Sequence, residues 1–321
     1  ERVKGMKICI AGAGAFGSAI ASVFAKGGYS PKLFSPTNFE ELSATRVPRK
    51  LSNIKLPDEV EIVSSLERTE KNECLFLAVP TQNLADFCEN NKVFLNGRPL
   101  IACCKGVDQK TGLRPSEILS EYSSKVAVMS GPSFAIDIAQ GMPTALVLAS
   151  VKYDFLKKLQ SDISMQNFRL YRTSDVIGVE LGGALKNIIA IACGVAIGAG
   201  QGDSARAALM TRGFSEMVSF AKANGAKEKT LSGLSGLGDL SLTCNSQKSR
   251  NFVFGLSLGC QKTFNKNTTV EGVATAFAVS QKAKALGLDM PITSSVSALV
   301  NGSISTEEVI HSLLSRPTKE E

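Results

Sequence analysis

Short apolar runs alternate with segments of helical periodicity along the first half of the chain. Each run is apolar at consecutive positions, and a helix pattern at about 15–27 follows the first run. Strands that are buried on both faces and separated by helices are typical of a parallel, doubly wound sheet. The predicted strands lie at 6–12, 31–35, 74–80, 99–104, 125–130, 144–150 and 168–174.

The strand pattern stops near Ser174, and beyond it the apolar residues recur at helical spacing. Asp203 and Ser204 indicate the cap of one helix, and Asn224-Gly225 indicates its end. A segment rich in Gly, Ser and Leu at 231–246 predicts a long loop. The predicted helices lie at 179–198, 204–224, 272–286 and 293–301.

These two patterns predict an α/β domain over residues 1–174 followed by an all-α domain over 175–321. With 321 residues, 44% hydrophobic and 20% charged, the chain has the composition of an ordinary soluble protein with room for two cores. The longest uncharged apolar segment, 188–200, is too short and too rich in Gly to predict a membrane span. No secretory leader is evident, so we predict a cytoplasmic protein.

Charge and cysteine usage narrow the chemistry. Eight scattered cysteines without a C-x-x-C pair are interpreted as small buried hydrophobes in a reducing compartment, and no metal site is predicted. A net charge of +7 would suit anionic ligands, although a mildly basic surface explains it equally well. The basic residues are dispersed and aromatics are few, which argues against nucleic acid binding.

The first chemical motif is GAGAFG, which follows the first strand and opens a helix. Gly12 permits a tight turn, Gly14 lets a pyrophosphate approach the backbone, and Gly17 allows close helix–strand packing. Ala15 and Phe16 begin the helix whose N-terminus would face the phosphates. The position of this motif at the first βα junction predicts dinucleotide binding.

The choice between NAD and NADP depends on the end of the second strand. An NAD-specific site usually has an acid there that accepts from the ribose 2′-hydroxyl. Residues 35–38 are uncharged and the first acid is Glu40, so nothing would repel a 2′-phosphate. No Arg lies among residues 35–38 to bind one either. We therefore predict use of NADPH or of both cofactors.

A nicotinamide enzyme that acts on an alcohol or ketone needs a group that exchanges the hydroxyl proton. The single histidine, His311, lies in a polar helix near the end of the chain and is interpreted as a surface residue. Lys186 is the only charged residue between Glu180 and Asp203. An apolar environment lowers the pKa of lysine toward the range of proton exchange. The alternatives are that Lys186 reaches the surface or pairs with Glu180.

Three further segments have the composition of a ligand site. Lys105 follows one strand and the SGPSFA turn (130–135) follows the next, where ligands bind in doubly wound sheets. The trio Ser249, Arg250 and Asn251 begins a helix-like segment and would suit a phosphate. Taken singly, Lys105 and the SGPSFA turn are equally typical of ordinary βα loops. The trio taken singly is equally typical of a helix cap with a solvated Arg.

Together these segments resemble the NAD(P)-dependent glycerol-3-phosphate dehydrogenase family, the bacterial type in particular. The motifs occur in family order over most of the chain, and GGALKN, GLGDLSLTC and SRN are its most specific ones. They are GAGAFG at 12–17, KG at 105–106, GPSFA at 131–135, GVELGGALKNIIAIACG at 178–194, ARAALMTRG at 205–213, GLGDLSLTC at 236–244, SRN at 249–251 and VEG at 270–272.

The resemblance implies a Rossmann-like domain, an all-helical substrate domain and a homodimer. It implies interconversion of dihydroxyacetone phosphate and sn-glycerol 3-phosphate for glycerophospholipid synthesis, with Lys186 as proton donor and acceptor. The implied substrate residues are Lys105, Gly131, Ser133, Lys186, Asn187, Asp239, Thr243, Ser249, Arg250 and Asn251. The implied cofactor residues, besides the glycine loop, are Phe16, Lys105, Ala135, Arg250 and Glu271.

One departure from the resemblance concerns the cofactor. Many relatives carry a basic residue after the second strand, where this chain has Ser35-Pro36-Thr37.

Two alternatives to the implied reaction are a related two-domain dehydrogenase acting on a hydroxy acid or sugar acid, and a non-catalytic dinucleotide sensor. The first would require a carboxylate-binding Arg, and the second would not need Lys186, Asp239 and Arg250 together.

Overall fold

The computed structural model describes residues 5–265 and 268–314, and these residues form two compact units. The first unit consists of the described residues up to Cys104 together with Arg114–Val176, and the second of Lys105–Leu113 together with the described residues from Ile177 onward. The short segment 105–113 thus belongs with the helical part of the chain. The functional division between 1–174 and 175–321 stays a prediction.

An eight-stranded sheet forms the centre of the first unit. Its strands are β1 (Ile8–Ala11), β2 (Lys32–Phe34), β3 (Glu61–Val63), β4 (Cys74–Leu77), β5 (Leu100–Ala102), β6 (Val126–Ser130), β7 (Thr144–Ala149) and β8 (Phe168–Thr173). They lie in the order β3-β2-β1-β4-β5-β6-β7-β8. All neighbours pair parallel except β6 and β7, which are antiparallel with Met129 opposite Leu148.

The α/β fold class predicted from the sequence is confirmed, with two differences in the sheet. The prediction of a parallel sheet was wrong for the β6–β7 pair, because strand direction depends on the connection and not on the apolar pattern. The sequence pattern also missed β3. This strand has three residues and lies at the sheet edge, and Glu61 is exposed, so it lacks a recognisable apolar run.

Helices and an aromatic cluster complete the first unit. Phe24, on the helix after β1, packs against Phe76 and Phe168, with ring centroids 5.2 and 6.0 Å away. These rings join the first helix to β4 and β8 in the core. The helices are α1 (Ala15–Lys26), α2 (Phe39–Thr45), α3 (Thr81–Asn90), α4 (Lys92–Leu95), α5 (Pro115–Ser120), α6 (Ala135–Ala139) and α7 (Tyr153–Ile163), and short 3₁₀ turns occupy Arg49–Leu51 and Leu66–Arg68.

The second unit is helical, as predicted. Its helices are α8 (Val176–Gly198), α9 (Gly202–Ala223), α10 (Glu228–Leu231), α11 (Asp239–Cys244), α12 (Arg250–Gly259), α13 (Glu271–Ala285), α14 (Pro291–Val300) and α15 (Thr306–Leu314). Helix α8 is buried along almost its whole length, which explains why it is apolar on every side. Among the described residues it is also long and apolar enough to span a membrane by composition, contrary to the sequence estimate. However, 89% of that window is buried inside the protein, as in the core helix of a soluble protein.

Close packing of α8 depends on glycines. A Cβ atom on Gly194 would lie 2.1 Å from the carbonyl oxygen of Phe252, and one on Gly255 would lie 2.1 Å from that of Ile191. The backbones of α8 and α12 therefore touch. Likewise, a Cβ atom on Gly182 would lie 2.6 Å from the carbonyl oxygen of Ser235, so this glycine also permits a close backbone approach.

Several local predictions in the second unit need correction. Helix α9 begins at Gly202 after Gln201, and Asp203 lies in its first turn, 3.0 Å from Arg206. The predicted end of that helix at Asn224 is confirmed. The predicted loop at 231–246 was wrong, because α10, a π-helix at Leu234–Gly238 and α11 occupy it. Tertiary packing there overrides the low helix propensity of Gly and Ser.

The cysteines mostly follow the sequence interpretation. Six of the eight are buried, namely Cys9, Cys74, Cys88, Cys103, Cys193 and Cys244. Cys104 is half-buried, and Cys260 is exposed, so the interpretation was wrong for Cys260. His311 is exposed on α15, in agreement with its interpretation as a surface residue.

Candidate functional site

The glycine loop of the first unit has the shape that a pyrophosphate requires. Gly12 has φ +108°, and a Cβ atom there would lie 2.8 Å from the carbonyl oxygen of Ala78. A Cβ atom on Gly17 would lie 1.9 Å from the carbonyl oxygen of Gly12. Gly14 instead faces open space and precedes α1, whose first turn receives no side-chain cap. Two glycines therefore hold the turn, and the third leaves room beside an uncapped helix N-terminus, which fits a dinucleotide.

Lys186 lies at the centre of the second unit. Its side chain is only 9% exposed, and its ammonium donates to Asp239 Oδ1 and to Thr243 Oγ1, each at 2.6 Å. The Thr243 hydroxyl donates in turn to the Asp239 carbonyl oxygen at 2.6 Å, so its lone pairs are directed to the lysine. The partner of Lys186 is thus Asp239, and neither the surface nor Glu180 explains its position.

Burial decides the protonation of Lys186. Desolvation lowers the pKa of Lys186 to about 8, and the neighbouring positive charge of Lys105 acts in the same direction. Asp239 opposes both effects because its carboxylate favours the charged ammonium. A lysine with this pKa exchanges a proton readily near neutral pH, as the sequence argument required.

Lys105 completes a pair of lysines on one carboxylate. Its ammonium lies 2.6 Å from Asp239 Oδ2, whereas Lys186 donates to Oδ1 of the same carboxylate. The side chain of Lys105 is 16% exposed and that of Asp239 only 1%. Asp239 therefore keeps a cationic partner whichever protonation state Lys186 takes.

A chain of amide hydrogen bonds holds the backbone near Lys105. Gly272 N–H donates to Asn251 Oδ1 at 2.9 Å, and Asn251 Nδ2 donates to Asn187 Oδ1 at 3.0 Å. Asn187 Nδ2 donates to the carbonyl oxygen of Lys105 at 3.2 Å. The two asparagines therefore orient one another and Lys105 within the second unit.

The trio at the start of α12 divides into different roles. Ser249 is the N-cap of the helix, and its hydroxyl accepts a hydrogen bond from Phe252 N–H at 3.2 Å. For this residue the alternative interpretation as a helix cap therefore holds. Arg250 is exposed at the first position of the helix, and Asn251 is buried in the amide chain. Arg250 is thus the member that offers positive charge at a helix N-terminus.

The other predicted residues lie at the ends of elements in one unit or the other. Gly131 and Ser133 follow β6, where the Ser133 hydroxyl donates to the Gly131 carbonyl oxygen at 3.1 Å. Ala135 begins α6, and Phe16, in the first turn of α1, packs on the core of the first unit. Glu271 begins α13 in the second unit.

Sequence reasoning missed one feature of the first unit. Arg49 and Glu41 lie together at the end of β2, on the wall of a surface cavity that Ala13 of the glycine loop also lines. No motif marks either residue. The only sequence signal was the presence of charged residues in the connection from β2 to β3.

A glycine loop at the first βα junction of a doubly wound sheet defines a dinucleotide-binding unit. A helical unit with a buried lysine of lowered pKa adds a group for proton exchange. This combination is typical of nicotinamide-dependent dehydrogenases with two domains.

Comparisons with known proteins define the family. The N-terminal model of NAD-dependent glycerol-3-phosphate dehydrogenase matches residues 7–156, and the C-terminal model matches 175–311. The chain therefore belongs to the NAD-dependent glycerol-3-phosphate dehydrogenase family, which confirms the resemblance drawn from the motifs.

Individual relatives agree with this assignment over their full length. Glycerol-3-phosphate dehydrogenase [NAD(P)+] of Roseobacter denitrificans is 48% identical over 322 residues, covering 98% of this chain and 100% of the relative. The same-named protein of Paracoccus denitrificans is 48% identical over 318 residues, covering 98% and 100%. The crystal structure of glycerol-3-phosphate dehydrogenase from Coxiella burnetii has a TM-score of 0.91 at 34% identity, covering 97% and 99%.

Proposed function

We propose that this protein is an NAD(P)-dependent oxidoreductase that interconverts dihydroxyacetone phosphate and sn-glycerol 3-phosphate. Membership of the family and the names of its full-length relatives support this reaction. The structural observation that carries the proposal is the buried Lys186–Asp239–Lys105 cluster with its lowered lysine pKa. The family also suggests a homodimer that acts in the cytoplasm and supplies glycerophospholipid synthesis, and these three points stay predictions.

Lys186 carries the proton. A nicotinamide cofactor, when bound, would supply the hydride for the C2 carbonyl carbon of dihydroxyacetone phosphate. Within the described residues Lys186 donates two hydrogen bonds, and an ammonium has three N–H groups, so one is left for the carbonyl oxygen of the substrate. Transfer of that proton as negative charge develops on the oxygen yields the hydroxyl group of glycerol 3-phosphate.

Asp239 and Lys105 keep the site electrostatically balanced during this transfer. When Lys186 becomes neutral, Asp239 retains its ion pair with Lys105, so no buried carboxylate is left unpaired. Lys105 also keeps one positive charge near the reacting oxygen. Thr243 holds the Lys186 amine in place through both protonation states, because its hydroxyl can accept from the amine in either.

The remaining predicted residues complete the proposal. Arg250 and the N-terminal N–H groups of α12 would bind the substrate phosphate, and Asn187 and Asn251 would position the reacting end. Gly131 and Ser133 would line the substrate, and the glycine loop with Phe16, Ala135, Arg250, Lys105 and Glu271 would hold the cofactor.

The test compares dihydroxyacetone phosphate with two ketones that lack the phosphate. NADPH absorbance is followed after adding dihydroxyacetone phosphate, unphosphorylated dihydroxyacetone or a 2-oxo acid. We expect rapid oxidation of NADPH with the first and little with the other two. Turnover of the 2-oxo acid alone would indicate the hydroxy-acid dehydrogenase, and NADPH binding without turnover of any ketone would indicate a sensor.

A further inference from the structure

The end of β2 forms an open cavity beside the glycine loop. It is lined by Ala13 of the loop and by Ser35 and Asn38, which follow β2. Gly12 N–H donates to the carbonyl oxygen of Phe34 at 3.2 Å, which ties the loop to the end of the strand. In dinucleotide-binding folds this is the place where the adenosine ribose is bound and its 2′ substituent is distinguished.

Two opposite charges border this cavity. Arg49, in the 3₁₀ turn after Pro48, donates from Nε to Glu41 Oε2 at 2.7 Å, and its Nη2 contacts the same oxygen. Both side chains are on the surface, with 63% of Arg49 and 45% of Glu41 exposed. Arg46, which is nearer to β2 in the chain, instead donates to backbone carbonyl oxygens such as that of Val60 at 2.8 Å.

The Glu41–Arg49 pair suits a site that accepts two ribose forms. Hydrogen bonds from Arg49 hold the pKa of Glu41 below its usual value, so the carboxylate is ionised and can accept from a hydroxyl. An exposed ion pair contributes little to stability, so a stronger anion can take the guanidinium from it. A phosphate is such an anion, since it carries more charge and matches the planar fork of Arg.

We propose that Arg49 binds the 2′-phosphate of NADPH, and that Glu41 accepts from the ribose 2′-hydroxyl when NADH is bound. Arg49 thus replaces a basic residue at 35–37, where this chain has Ser, Pro and Thr. The pair lets one site use both cofactors. This assignment rests on the proposed function in one respect, namely that the cofactor is NAD(P)H. It concerns binding of the cofactor and not the chemical step.

The test measures binding without substrate. Wild type, Arg49→Met, Glu41→Gln and the control Lys50→Met are titrated calorimetrically with NADPH, NADH, adenosine 2′,5′-bisphosphate and AMP. Lys50 is the exposed neighbour of Arg49 and does not line the cavity. It therefore reports the effect of losing one positive charge near the site.

We expect Arg49→Met to weaken NADPH and adenosine 2′,5′-bisphosphate by about 10–100-fold, as for loss of hydrogen bonds to a charged group. NADH and AMP should change by about twofold or less, as expected for an exposed ion pair that contributes little. Glu41→Gln should bind NADPH more tightly and NADH more weakly. Arg49→Lys should recover only part of the NADPH affinity, because it keeps the charge without the fork.

The assignment is wrong if Arg49→Met weakens both cofactors equally, or if Lys50→Met reproduces its selective effect. Thermal unfolding of each variant identifies any general loss of structure, and partial recovery by Arg49→Lys in a folded protein separates charge from folding. These titrations contain no ketone, so a negative result would overturn the assignment of Arg49 without contradicting the proposed reaction. A wild-type protein that binds NADPH through Arg49 but does not reduce dihydroxyacetone phosphate would overturn the proposed function alone.

Discussion

The glycine loop and the lysine cluster place positive charge by different means. The loop between β1 and α1 uses backbone alone, and its three glycines are close neighbours in the chain. The cluster around Lys186 uses buried side chains of opposite charge, and Lys186 and Asp239 are 53 residues apart. Backbone N–H groups have a fixed partial charge, whereas a buried lysine has a charge that its surroundings can change.

This difference separates binding from chemistry. A loop without a titratable side chain holds an anion over a wide pH range, but it cannot donate a proton. The cluster can exchange a proton because burial and Lys105 oppose the charge on Lys186 while Asp239 supports it. We expect changes in the two regions to affect different measurements.

The largest effect should come from removing Lys186, the proposed proton donor. Lys186→Met keeps the length and apolar stem of the side chain, and Asp239 keeps its ion pair with Lys105. We expect kcat to fall by about 10²–10⁴-fold, the usual contribution of general acid catalysis, with NADPH affinity little changed. Steady-state kinetics and a cofactor titration measure both quantities.

Lys222→Met is the matched control for this substitution. Lys222 also lies in the helical unit, but it is 55% exposed and pairs with Glu228. Its replacement should leave kcat unchanged. A kcat near the wild-type value in Lys186→Met would remove Lys186 from the mechanism.

The second effect contrasts two glycines of the loop. Gly17→Ala places a Cβ atom where it would lie 1.9 Å from the Gly12 carbonyl oxygen, so we expect a loss of about 3 kcal/mol in the free energy of unfolding. Gly14→Ala meets no atom within 4 Å and should change stability by about 1 kcal/mol or less. Chemical denaturation measures both values.

For cofactor affinity we expect the larger effect at Gly14, the glycine whose substitution changes stability less. The methyl group of Gly14→Ala would occupy the place where we propose that the pyrophosphate approaches. NADPH should therefore bind about tenfold or more weakly to a protein of near-normal stability. Normal NADPH affinity in Gly14→Ala would show that the phosphates do not approach this glycine.

The smallest effect concerns pH and should appear only in the lysine cluster. With a pKa of about 8, Lys186 loses its proton above that pH, so kcat/KM for ketone reduction should fall there while alcohol oxidation rises. The affinity for NADPH should vary less across the same range. A rate of reduction that stays constant from pH 7 to about 9.5 would contradict the assignment of Lys186.

The same pKa has a consequence for folding. The folded-state pKa of Lys186 lies below its ordinary value of 10.5, so between about 8 and 10.5 the unfolded chain binds more protons. The contribution of Lys186 to stability therefore rises with pH through this window. The buried cysteines have raised pKa values, which make the free energy of unfolding fall with pH. Both proteins contain these cysteines, so the difference in free energy of unfolding between wild type and Lys186→Met reports the contribution of Lys186 alone.

The glycine loop was predictable because its physics is local. The turn, the close approach of Gly17 and the start of α1 all depend on residues that are neighbours in the chain. The helical unit was less predictable in its details. Periodicity located α8 and α9, but the segment 231–246 has too many glycines and serines for its helices to be recognised without their packing partners.

By itself the sequence determined the α/β and all-α division, the dinucleotide loop and the unusual position of Lys186. It did so because periodicity, glycine spacing and a lone charge in an apolar run are properties of neighbouring residues. Only the tertiary structure decided that Asp239 is the partner of Lys186, that Lys105 shares it, and that Arg49 lies at the end of β2. Ion pairs between distant segments depend on how the chain folds back on itself, and no local pattern specifies that.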